Sequence, residues 1–153
     1  MFVYLRNASL VLAFVATTAP LAHVLEMISK LMLDGPLWLA IQQNLYRGWG
    51  AVFGPVEILA LAAASALFVL SRADRTMRNY YLVAALCYAG MLASFFAFNN
   101  LVNLALNGWT AASLPPYWRD YRLHWEIGHL IAAILSVIAF VAQLRAWRNQ
   151  RQP

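Results

Sequence analysis

Glu126 and His129, in the stretch His124-Trp125-Glu126-Ile127-Gly128-His129, stand at the head of an apolar run that continues to Leu144. Three residues apart, they share one face of a helix, one turn from each other. His23-x-x-Glu26 repeats the pair in reverse near the end of the first apolar run, and Glu57 stands alone inside the second. Histidine and glutamate ligate transition metals and move protons near neutral pH. Metal ligation predicts the set His23, Glu26, Glu57, Glu126 and His129, and acid–base work predicts Glu57, Glu126 and His129 as the catalytic groups. Asn99, Asn103 and Asn107 recur every four residues in the third run, with Asn100 beside them, and offer amides to a bound cofactor or substrate. Each group also has a structural use. Glu126 and His129 can steady the bundle as a polar pair, Glu26 can pair with Lys30 one turn on, and the asparagines can join helices.

The elements that must position these groups follow from composition. The 153 residues are 63% hydrophobic and 11% charged, more apolar surface than a small soluble globule can hide. A single all-α domain over 1–153 is expected, a transmembrane four-helix bundle running up-down-up-down, with spans at about 8–28, 49–70, 80–106 and 123–144. The start of the chain has the layout of a signal peptide, but its apolar stretch is long and runs into His23, Glu26 and Lys30, which favours an uncleaved span. Residues 38–46 read as a short interfacial helix, and Gly108 with Pro115-Pro116 marks the loop at 107–121. Gly50-x-x-x-Gly54 is a small-residue pattern that lets helices approach closely. Cys87, the one cysteine, reads as a small core hydrophobe.

Charge sets the orientation. Seven of the eleven basic residues fall at the termini and the short turn, as Arg6, Arg72, Arg75, Arg78, Arg145, Arg148 and Arg151; Lys30, Arg47, Arg119 and Arg122 fall on the other side. The positive-inside rule then puts both termini in the cytoplasm, as in a bacterial inner membrane. All the chemical candidates lie in the outer half of the bilayer, and the inner half of every span reads as almost purely apolar. Pro20 and Pro55 precede His23 and Glu57, and bends of this kind accompany cavities. The scattered basic residues form no stripe with interleaved aromatics, so no nucleic-acid partner is expected. Phosphate loops, serine elbows and Cys-x-x-Cys pairs are absent from the sequence. Trp109, Tyr117, Trp118 and Trp125 read as an interfacial belt, His124 as solvated, and Arg119 and Arg122 as loop cations able to meet a substrate at the mouth.

The inventory has a partial precedent in four-helix carboxylate proteins, which build di-iron sites from paired Glu-x-x-His motifs. Here one motif is reversed and asparagine stands where a fourth carboxylate belongs. A mononuclear site of two histidines and a carboxylate is equally consistent, iron being the first metal to test; a metal-free site and axial haem ligation by His23 and His129 also remain open. The chain resembles the anthrone oxygenase-like family of small four-span membrane proteins. The resemblance rests on Ala22-His23-Val24-Leu25-Glu26, Tyr46-Arg47-Gly48-Trp49, Asn99 to Asn107, Tyr117-Trp118-Arg119 and Trp125-Glu126-Ile127-Gly128-His129. It implies four transmembrane helices and, for some members, oxygenation of a polyphenolic anthrone to a quinone. The expected function is therefore an oxygenase-like membrane oxidoreductase acting on a lipophilic aromatic or quinone-type molecule. The competing expectation is a non-enzymatic binder or assembly subunit for quinone, lipid or haem. The bilayer, a lipophilic small molecule and a second copy in a homo-oligomer are the expected partners.

Overall fold

A computed structural model describes residues 2–149, and Arg151, counted among the basic residues of the C-terminal side, lies outside the described residues. Among the described residues there is no strand. The helices are α1 (Phe2–Met32), α2 (Gly35–Asn44), α3 (Trp49–Leu70), α4 (Arg75–Ser94), α5 (Asn100–Leu106) and α6 (Trp118–Asn149). A π-helical turn, Phe95–Asn99, joins α4 to α5 without a break in direction of winding, so Arg75–Leu106 acts as one membrane-length helix. With α1, α3 and α6 it makes four helices long and apolar enough to cross a bilayer, and the chain is a multi-pass membrane protein. The second span coincides with α3, while α1 and α6 extend four to six residues past both ends of the spans read from sequence and α4 starts five residues early, because helical hydrogen bonding does not stop where hydropathy does.

Local chemistry sets the boundaries. Asp34 caps α2 by accepting from the Leu37 N–H at 2.9 Å, with proline in the first turn, and Asp74 caps α4 by accepting from Met77 at 3.0 Å. Gly48 precedes α3 with φ at 89°, a left-handed conformation that suits glycine.

In cross-section α1 packs on α3 and α6, and α4 packs on the same two. Alanines bring the four together: Ala13, Ala16, Ala60, Ala64, Ala84 and Ala139 are buried in one cluster with Cys87, Tyr88 and Met91. Small side chains let backbones approach where dispersion has to replace the hydrophobic effect. One end of the bundle is closed by Phe2, Leu5, Leu67, Met77, Tyr81 and Ala146, the other by Trp38, Leu39, Val102, Leu106, Trp118 and Trp125.

The structure departs from the sequence reading at two points. The half of the bundle remote from the histidines is not purely apolar, since Ser9 donates to Gln143 at 2.5 Å and Gln143 donates to the Tyr88 hydroxyl at 3.0 Å, joining α1, α6 and α4. A hydropathy count smooths over such isolated polar residues. Gly50 and Gly54 do not serve helix packing either: a Cβ at either position meets open space, and both line a cavity.

Candidate functional site

The cavity, of about 730 Å³, is lined by residues of α1, α3, the π turn, α5 and α6, together with residues 46–48 ahead of α3. His23, Glu57, Asn99, Asn103, Asn107 and His129 all line it, so six sequence candidates from four spans meet at one chamber. Tyr46, Trp49, Phe53, Phe95 and Trp125 add aromatic walls. Ile58 and Phe96, also lining it, are 57% and 62% exposed on the bundle's outer surface, so the chamber reaches the lipid-facing side between α3 and the π turn.

The two histidines are neighbours. Their rings meet edge to face with centroids 4.2 Å apart, and Tyr46, Trp49 and Trp125 surround His23 at 4.6, 5.0 and 4.8 Å. Behind His23, its Nδ1 is 3.8 Å from Glu26 Oε2, and the same oxygen accepts the Tyr46 hydroxyl at 2.5 Å. Burial and the Glu26 carboxylate both push the Tyr46 phenol above its ordinary range, so Tyr46 stays a donor. Behind His129, the Asn99 amide nitrogen lies 2.6 Å from Nδ1 and 2.9 Å from the Trp125 carbonyl oxygen, to which it donates. Nδ1 itself is 3.0 Å from that oxygen. A carbonyl oxygen only accepts, so the Trp125 contact calls for a proton on Nδ1 whereas the Asn99 contact calls for a bare Nδ1, and the two belong to opposite tautomers. Among the described residues Nε2 makes no hydrogen bond.

The close meeting of α6 and the π turn makes this geometry. Gly128 lies so near Phe98 and Asn99 that a Cβ there would be 2.7 Å from Phe98 Cβ and would overlap the Asn99 amide. The π turn adds a residue to the helical repeat and aims Asn99 across at α6. Asn103 accepts from the Trp125 indole at 3.1 Å. Asn99 and Asn103 thus join helices and line the chamber together, while Asn107 lines it without a hydrogen bond of its own to α6.

Glu126 is the principal departure from expectation. It is 1% exposed, does not line the chamber, and pairs with Lys30 at 3.1 Å. Lys30, the only lysine in the chain and 3% exposed, turns to α6 instead of to Glu26, with Nζ 4.6 Å from the Trp125 ring centre. Arg122 is not a free cation at the mouth: it is buried and donates to the carbonyls of Lys30 and Leu33 at 3.0 and 2.8 Å, closing the last turn of α1. Trp125 forms a wall of the chamber instead of an interfacial belt, and His124 packs on Phe98 with centroids 4.6 Å apart. Glu57 lines the chamber, and among the described residues no hydrogen bond or ion pair reaches it.

The expected ligand set is not assembled. Among the described residues no three His, Cys, Asp or Glu side chains are grouped to hold a metal ion. Glu126 is turned to Lys30, and Glu26 is held by Tyr46. Haem fits no better, since histidine rings in direct contact leave no space for a porphyrin between them. Sequence reasoning had placed Tyr46 and Trp125 at the interface and gave Trp49 and Lys30 no part in the site. The signal for Lys30 was its burial cost: a lone lysine beside an apolar run must find a carboxylate.

No protein family, curated protein or solved structure matches the chain.

Proposed function

We propose that the chain is a membrane-embedded, oxygenase-like oxidoreductase for a lipophilic aromatic or quinone-type molecule, in which the histidine pair performs acid–base work. The observation that carries this is the His23–His129 contact on the wall of an aromatic chamber that reaches the lipid-facing surface. The chamber's volume suits a ligand of a few fused rings, since small-molecule sites span roughly 300–1,000 Å³. Its opening beside Ile58 and Phe96 favours a substrate that arrives through the bilayer.

The acid–base roles follow from the surroundings. His23, backed by the Glu26–Tyr46 pair, accepts a proton from a phenolic or activated C–H group. In the tautomer that accepts from Asn99 at Nδ1, His129 presents its Nε2–H to the oxygen on which negative charge develops. The deprotonated, electron-rich substrate then reacts with dioxygen as the second substrate. Substrate carbon is oxidised and dioxygen reduced, one oxygen atom entering the product and the other leaving as water with two protons. The sequence-derived alternative, with Glu126 as a catalytic group, loses support because its carboxylate belongs to Lys30. We place the site in the outer half of a bacterial inner membrane with both termini cytoplasmic, on the basic-residue count.

Oxygen uptake by purified protein in nanodiscs, with a hydroxylated anthrone and a long-chain hydroquinone as probes, tests this. Uptake is expected to persist in the presence of a metal chelator and to fall by about a hundredfold in His23→Gln and His129→Gln, with helicity unchanged. Saturable quenching of the Trp49 and Trp125 fluorescence without oxygen uptake would make the protein a binder and not an enzyme.

A further inference from the structure

A second cavity, of about 510 Å³, lies at the other end of the bundle, where α3 turns into α4. Phe68 and Leu82 form its apolar side, and Arg72, Arg75, Arg78 and Asn79 form its polar side. Among the described residues no carboxylate pairs with any of these three guanidiniums. Asp74, the acid within this turn, is engaged at the start of α4, where it accepts from the Met77 N–H. The Arg78 guanidinium carbon lies over the Phe68 ring, 4.8 Å from its centre, which holds this cation at the apolar side of the hollow.

Three cations gathered around one hollow without a counter-charge repel one another, and an anion with several acceptor oxygens relieves that repulsion. Guanidinium forks match phosphate oxygens two at a time, which carboxylate-free arginine clusters exploit. Place in the membrane narrows the anion further. Phe68 is in the last turn of the membrane helix α3, and Leu82, 37% exposed, faces outward two turns into α4. The hollow therefore runs from a water-facing cationic rim to a lipid-facing apolar wall, the profile of a phospholipid headgroup and the start of its chains.

We propose that this cavity binds the phosphoryl headgroup of an anionic phospholipid from the leaflet that holds the α3–α4 turn. The site is independent of the chamber around the histidines. Native mass spectrometry of the full chain, released from nanodiscs of phosphatidylcholine mixed with phosphatidylglycerol, tests it. One phosphatidylglycerol per chain is expected to be retained in preference to phosphatidylcholine. Preference should fall about fivefold for each of Arg72→Gln, Arg75→Gln and Arg78→Gln. Arg145→Gln with Arg148→Gln, at the exposed end of α6, removes charge from the same end of the bundle without touching the cavity. An equal loss in that double variant would mean a diffuse field and overturn the site. Displacement of the lipid by inorganic phosphate, or equal retention of the two lipids by the wild type, would overturn the lipid assignment.

Discussion

Replacing Lys30 by methionine removes the cation that faces Glu126 inside the bundle. The two charged atoms lie 3.1 Å apart with both side chains almost fully buried. At an effective dielectric of about 20 their attraction is about 5 kcal/mol. Taking each ion from water costs several kcal/mol, so the intact pair contributes little net stability. Removing one partner leaves the other charge without compensation, and Lys30→Met and Glu126→Leu should each destabilise the fold by about 3–5 kcal/mol. The double variant replaces both by apolar side chains of similar length and should lie within about 1–2 kcal/mol of the wild type. Reversible unfolding in mixed mild-detergent and dodecyl sulfate micelles, followed by circular dichroism, measures all three. Single-variant losses below about 1 kcal/mol, or a double variant equal to the sum of the singles, would show that the pair is solvated and does not tie α1 to α6.

Two glycines make opposite predictions. Gly128→Ala introduces a Cβ where Phe98 and Asn99 already stand, and the overpacking should cost about 1–3 kcal/mol in the same unfolding assay. It should also shift the His129 ring-nitrogen resonances as Asn99 is pushed from Nδ1; an unshifted ring would mean that Asn99 does not hold it. At Gly54, by contrast, an added Cβ meets no atom within 4 Å, and the ring of Gly54→Phe would occupy the chamber that this glycine lines. Stability should hold within about 1 kcal/mol, since the loss of a helical glycine is favourable, while quenching of Trp49 by a bound anthrone falls at least tenfold. Unchanged quenching would place the ligand elsewhere.

The sequence alone determined the membrane bundle, because spans of about twenty apolar residues leave the backbone no alternative to helix in lipid. It also determined the level at which His23, Glu57, Asn99 and His129 would meet, since rise per residue converts position along a helix into depth. What it left open was azimuth and choice of partner. Lys30 had Glu26 one turn before it on its own helix and Glu126 on another, and only the packing of α1 on α6 selected the second. That selection removes Glu126 from the chamber and leaves the His23–His129 pair as its chemistry. Gly50 and Gly54 fitted a packing motif by spacing, yet no neighbouring helix meets them, and their bare faces open onto the chamber. Composition and period thus fixed which residues share a level, through the geometry of a single helix. Which of them touch depends on how four helices rotate and splay, and that is set by side chains far apart in the chain.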